Sequence, residues 1–274
     1  MCQILKVLNN NALLVKWKHD GESILLGRGI GFGRRSGDYL EEIDGAKEYA
    51  LVSGDRRNVE IGTENGIEPI YLEAAGRIIE EAEMVFDGIS SDILLSLADH
   101  IAFAARRDKE KIFVSNPFIP DIKVLFGKEY AIALKCREII KELTDYEISD
   151  DEAGFIALHI HSGLSHEQVS DTLQATQTVN LSMQLLKELA GKELDTDSLA
   201  YTRVLSHLYY VIMRSRAGEA VNIDLNDFME RTYPEAMVIA GKICEYIENK
   251  INSRLDRMET GYLAVHIQRL LAEK

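Results

Sequence analysis

The pattern of apolar and polar positions changes period near residue 60. Before that point, short apolar runs alternate with turn residues. Ile4-Leu5-Lys6-Val7-Leu8 predicts a strand, Asn9-Asn10-Asn11 a turn, and Ala12 to Lys18 a second strand. Asp20-Gly21 marks a hairpin before a third strand at Ser23 to Leu26, and Lys47 to Val52 predicts a fourth. Beyond residue 60 the apolar residues recur at helical spacing. Leu94, Leu95, Leu97, Ala98, Ile101 and Phe103 form one such face, and Leu199, Val204, Leu205, Leu208, Val211 and Ile212 form another. Tyr130 to Leu143 and Glu235 to Ile251 predict further amphipathic helices. Ser149-Asp150-Asp151-Glu152 and Asp256-Arg257-Met258-Glu259 supply the acidic first turns of two more. The expected fold is α+β and multidomain: a small N-terminal antiparallel sheet, then all-α bundles of about five helices each.

The helical part repeats. His100 and His159 are 59 positions apart, as are His207 and His266, and the second pair lies 107 positions beyond the first. The same offset carries Arg107 onto Arg214, Lys135 onto Lys242, Glu138 onto Glu245, Glu152 onto Glu259, Gly154 onto Gly261 and Ala157 onto Ala264. This is a duplicated domain in which each copy keeps its own histidine pair. His19, His161 and His166 have no partner at that offset.

One histidine among apolar helix positions is ordinarily a packed core residue; a pair kept at one interval in two diverged copies points to chemistry. Metal binding would need more ligands than two imidazoles, and neither H-E-x-x-H nor paired-cysteine spacing accompanies them. No metal, cofactor or catalytic residue is therefore expected. Phosphorylation fits better, because a neutral imidazole accepts a phosphoryl group near neutral pH. Arg107 follows His100 by seven residues and Arg214 follows His207 by seven, two helical turns, which makes both arginines candidates to pair with the phosphate.

Charge divides the chain. The net value is −14, yet residues 1–58 hold nine Lys/Arg against eight Asp/Glu, leaving 22 against 37 for the remainder. An anionic polymer is repelled by everything except the first segment, and residues 1–40 are its most cationic part, with six basic and three acidic side chains. There, Gly27-Arg28-Gly29-Ile30-Gly31-Phe32-Gly33-Arg34-Arg35 places glycine at every second position. In an extended conformation one face is bare while Arg28, Ile30, Phe32 and Arg34 project from the other, which suits a nucleic acid: an aromatic to stack on a base, arginines for phosphates. A flexible loop with solvated arginines is the competing reading. A dinucleotide fingerprint fails in both registers. So small a sheet has a weak core and is expected to dimerise or lean on its neighbours. The three cysteines, Cys2, Cys136 and Cys244, have neither the number nor the spacing of a disulfide framework or zinc site. With no signal peptide or membrane-length apolar run, a cytoplasmic protein without membrane insertion is expected.

Lys6-Val7-Leu8-Asn9-Asn10-Asn11, Gly27-Arg28-Gly29-Ile30-Gly31-Phe32 and Ser36-Gly37-Asp38, with Asp99-His100-Ile101, His159-Ile160, Ser206-His207-Leu208 and His266-Ile267, resemble the BglG/SacY/LicT family of transcriptional antiterminators. The resemblance spans essentially the whole chain. It implies an RNA-binding co-antiterminator domain over 1–58 and two phosphotransferase-system regulation domains over 65–170 and 171–274. It further implies a homodimer that binds an RNA hairpin overlapping a terminator in a sugar operon. RNA contacts carried over are Asn11, Gly27, Arg28 and Phe32, then Asn9, Asn10 and Ser36. His100 and His159 become inhibitory sites phosphorylated through a sugar-specific enzyme II, and His207 and His266 activating sites phosphorylated by HPr. Gly31, Gly33 and Arg34-Arg35 depart from the common pattern. A phosphotransfer enzyme or phosphohistidine carrier of the sugar-uptake cascade, with the sheet as a docking module, is the alternative.

Overall fold

The computed structural model describes residues 1–18, 21–27, 29–41, 46–51 and 67–273. Asp20 of the expected hairpin, Arg28 of the expected RNA contacts and Val52 of the expected fourth strand lie outside them. The chain divides into two units: residues 1–116 with 128–169, and residues 117–127 with 170–274.

The first unit begins with an antiparallel sheet of β1 (Cys2–Asn9), β2 (Ala12–Trp17), β3 (Gly21–Leu26), β4 (Tyr39–Leu40) and β5 (Lys47–Leu51), in the order β4-β1-β2-β3-β5. The register pairs Ile4 with Val15, Leu13 with Leu25, and Leu14 with Ile24. One face holds a core of Cys2, Ile4, Leu13, Val15, Leu25 and Leu40, with Val7, Trp17 and Ile30 against it. Alternation puts Ala12, Leu14, Ile24 and Leu26 on the other face, and these are buried too. The cover on that side is α1 (Pro69–Glu83), which packs on β1. Lys6, paired in register with Leu14, bonds to Glu73 of α1. With both faces covered, β2 and β3 read as continuous apolar runs rather than as alternation. A Cβ on Gly76 of α1 would meet the Leu8 carbonyl oxygen at 2.4 Å, so only glycine lets the helix approach this closely.

The remaining helices of this unit are α2 (Leu94–Lys109), entered through a 3-10 turn at Ser91–Ile93, α4 (Gly127–Lys135), α5 (Arg137–Thr144) and α6 (Asp150–Ser165). The second unit contains α3 (Ile119–Leu125), α7 (Val169–Ala190, from Ser170 on), α8 (Leu199–Ala217), α9 (Asn226–Thr232), α10 (Pro234–Ile251) and α11 (Glu259–Ala272). In it α3 packs on α8, with the Phe126 ring edge-on to Tyr209 at 5.3 Å and Asp121 accepting from the Asn180 amide at 2.6 Å.

The repeat is structural. Shifting α2, α3 and α6 by 107 residues superimposes their numbering on α8, α9 and α11. One expectation needs correction: Tyr130 to Leu143 is not one helix. It is interrupted at Cys136, whereas its counterpart α10 runs unbroken. The side chain of Cys136 is fully buried there, which pushes its thiol up to about 12. Strand β4, two residues long, was not predicted, because a bridge that short carries no alternation to read.

The histidine centres and the turn-loop surface

In the first unit His100 on α2 and His159 on α6 bring their rings together at 5.2 Å between centroids. His159 is only 7% exposed, and burial, then the neighbouring His100, pushes its pKa down to about 3. Its Nδ1 lies 3.4 Å from Ser96 Oγ, one helical turn before His100. Phe155 flanks His100 at 5.7 Å. Glu152 is buried beneath the pair. Its Oε2 stands 3.0 Å from His100 Nε2, and its Oε1 accepts from Arg107 Nη2 at 2.8 Å.

The second unit repeats the arrangement. His207 on α8 and His266 on α11 are 4.6 Å apart between ring centroids. Arg214 donates to Glu259 from Nε at 2.7 Å and from Nη2 at 2.8 Å, and Glu259 Oε2 is 3.8 Å from His207 Nε2. Burial, then His266 and Arg214, push His207 down to about 3; burial, then Arg269 and Arg203, lower His266. A lowered imidazole pKa means a neutral ring at pH 7, with one ring nitrogen carrying a free lone pair. His159, His207 and His266 therefore each keep a ring nitrogen with a free lone pair at neutral pH.

Sequence alone assigns Glu152 and Glu259 to the first turns of two helices. Ser149 does cap α6, its hydroxyl accepting from the Glu152 backbone N–H at 3.2 Å. The Glu152 side chain, however, turns inward rather than back to the cap. A buried carboxylate needs a charged partner, and in each copy the arginine two turns beyond the first histidine supplies it. The signal was available: glutamate and arginine both survive the 107-residue offset. Arg107 and Arg214, expected to meet a phosphate, are placed on these carboxylates; Arg107 also stacks on Phe103 at 4.9 Å.

At the sheet, the turn at Asn10-Asn11 and the loop after β3 are joined. Gly27 N–H donates to the Asn11 carbonyl at 2.9 Å, Gly31 N–H to the Asn10 carbonyl at 2.9 Å, and Gly29 N–H to Asn11 Oδ1 at 2.7 Å. Asn9 is buried at the end of β1, where its Oδ1 accepts from the Asn11 N–H at 2.8 Å. The glycine run is not extended, contrary to expectation. Residues 29–33 are turns, closed by Phe32 N–H to the Gly29 carbonyl and Arg34 N–H to that of Gly31. Alternate glycines serve those turns and the close approach of Gly31, whose Cβ would meet the Asn9 carbonyl oxygen at 2.2 Å. The result still projects Phe32, 77% exposed, beside exposed Asn10, Arg34, Arg35 and Ser36; the Ser36 hydroxyl donates to the Leu5 carbonyl at 2.6 Å.

This surface is also held from behind. Asn11 Nδ2 donates to Glu83 of α1 at 2.9 Å, and burial raises the carboxyl pKa of both Glu80 and Glu83. Among the described residues no cluster of histidine, cysteine or acidic side chains could hold a metal, and no helix is long and apolar enough to cross a membrane.

Residues 2–58 match the CAT RNA binding domain, and residues 76–163 and 182–270 each match the PRD domain. The glcA/glcB genes antiterminator of Staphylococcus carnosus is 32% identical over 275 residues, covering 96% of this chain and 94% of that protein. The chain belongs to the BglG/LicT family of transcriptional antiterminators. The transcription antiterminator LicT of Bacillus subtilis is 29% identical over 278 residues, 99% of each chain. A crystal structure of GlcT CAT-PRDI covers 60% of this chain at 29% identity, with a TM-score of 0.38. The histidine centres of this antiterminator thus fall inside its two PRD domains, and its turn-loop surface inside the RNA-binding domain. It is an RNA-binding regulator and not an enzyme, which sets aside the phosphotransfer-enzyme reading.

Proposed function

We propose that the chain binds, as a homodimer in the cytoplasm, an RNA hairpin that overlaps a terminator ahead of sugar-utilisation genes, and that its two histidine pairs report the state of the phosphotransferase system. Asn10, Asn11, Gly27, Arg28, Phe32 and Ser36 form the RNA surface, with Asn9 shaping the turn beneath it. His100 and His159 take phosphate through a sugar-specific enzyme II and silence the protein; His207 and His266 take phosphate from HPr and activate it. The observation that carries this reading is the pairing itself. In both PRD domains two imidazoles meet, with ring centroids 5.2 and 4.6 Å apart, beside one buried glutamate that an arginine binds.

The contacts behind the RNA surface suggest how control reaches it. The Asn11 amide and the Lys6 ammonium are engaged by Glu83 and Glu73 of α1, the first helix of the first PRD domain. Those donors are the kind an RNA backbone competes for, and the carboxylates add negative charge where RNA must approach. RNA binding is then favoured by any change that draws α1 away. Binding of the full chain to such a hairpin, compared between Phe32→Ala and the parent, tests the surface. Loss in the variant is expected, and equal binding argues against it.

A further inference from the structure

The 107-residue offset also exposes a difference between the copies. Ser96 falls onto Arg203 and Ser162 onto Arg269. Ser96 Oγ lies 3.4 Å from His159 Nδ1, so the matching register on α8 sets residue 203 beside His266. Arg203 is also one turn before His207, and Arg269 is three residues after His266 on the same helix face. Both are exposed, and neither makes an ion pair among the described residues. Arg214, by contrast, is bound to Glu259. His266 Nδ1 is buried without a hydrogen-bond partner, which makes Nε2 the nitrogen assigned to the phosphoryl group.

We infer that Arg203 and Arg269 form a phosphoryl-receiving site for His266, and that the serines in the same positions deny the first domain such a site. The inference rests on the proposed phosphorylation of these histidines and names the residues that set its consequence. A phosphoryl group brings close to two negative charges at neutral pH. Guanidinium groups meet it with charge-assisted hydrogen bonds and favour the dianion, the form in which the N–P bond resists acid-catalysed hydrolysis. In the first domain the Ser96 hydroxyl stands where Arg203 does, and Ser162, buried with its hydroxyl donated to the Glu167 carbonyl, brings no charge. One fold thereby gives a stable mark in the second domain and a labile, disruptive one in the first. The positive charges of Arg269 and Arg203 at His266, after burial, lower its pKa and keep its nitrogen unprotonated for attack.

The test uses the full chain and a small donor, phosphoramidate, which removes any role of the arginines in docking a protein donor. The unprotonated ring nitrogen attacks phosphorus, the donor's P–N bond breaks, and ammonia leaves with the proton that the other ring nitrogen gives up. Phosphorus NMR then follows the lifetime and titration of each phosphohistidine. In Arg203→Ser/Arg269→Ser the phosphoryl pKa should rise and the His266 phosphate should decay roughly threefold to tenfold faster, the worth of two exposed charge pairs. Arg203→Lys/Arg269→Lys should restore part of the lifetime, and Ser96→Arg, at an exposed position beside His159, should lengthen it in the first domain. An unchanged lifetime and titration in the serine variant overturns the inference while leaving histidine phosphorylation standing. Failure of His207 and His266 of the parent to take phosphate from either phosphoramidate or HPr removes both.

Discussion

Arg214 holds Glu259 through two parallel hydrogen bonds of 2.7 and 2.8 Å, and that carboxylate lies 3.8 Å from His207. The geometry is bidentate and Glu259 is buried, so removing one partner strands a charge. Glu259→Gln should destabilise the chain by about 3 kcal/mol in urea unfolding, and Arg214→Met by a similar amount. The double variant should lose clearly less than the two together. Full additivity would show that the pair does not couple.

Acid should weaken the protein through its histidines. His159 and His207 titrate near 3 in the folded chain against an ordinary 6.5, so protonation favours the unfolded chain. Their contribution is complete above pH 6.5 and is lost as the pH falls from there toward 3. At pH 5 each costs about 2 kcal/mol. Asp121, Glu80 and Glu83, whose carboxyl pKa values are raised by burial, act in the opposite direction. The prediction is therefore read as a difference: His159→Gln and His207→Gln should each flatten the fall in urea midpoint between pH 7.5 and pH 5. Equal slopes in parent and variants would contradict it.

The duplication, the four histidines and the division into sheet and helices were legible because repetition and period leave marks that survive divergence. The inward turn of Glu152 was not, since an acidic residue in a first helical turn already has a sufficient local reason to be there. Arg203 and Arg269 escaped for the reverse reason: they differ between the copies, and identity at the offset was the signal followed. The glycine run misled because alternate glycines fit an extended strand and a series of tight turns equally well. Only the tertiary approach of Gly31 to Asn9 separates them.

Release of α1 should strengthen RNA binding. Glu73→Gln/Glu83→Gln removes two carboxylates from behind Lys6 and Asn11, and the full chain should bind its hairpin at least threefold tighter at low salt, with the gain shrinking as salt rises. Filter binding across a salt series reads this directly. Affinity that falls or stays level would mean that α1 supports the RNA surface rather than competing for it.

Loss of the sites proposed as inhibitory should uncouple the protein from its sugar. With His100→Ala or His159→Ala, read-through in a reporter strain without inducer should rise several-fold. Silence of both variants, with folded protein at normal abundance, would contradict the assignment. Loss of the activity seen with inducer would indicate that the two domains' roles are exchanged.

The central claim is that phosphate on the two histidine pairs governs passage through a terminator, with opposite signs. Single-round transcription of a leader carrying the hairpin and terminator tests it in three parallel reactions, with the full chain unphosphorylated, phosphorylated by HPr, or phosphorylated through enzyme II. The account predicts most read-through with phosphate on His207 and His266 and least with phosphate on His100 and His159. Read-through that is the same in all three reactions, or the same without the protein, would contradict it.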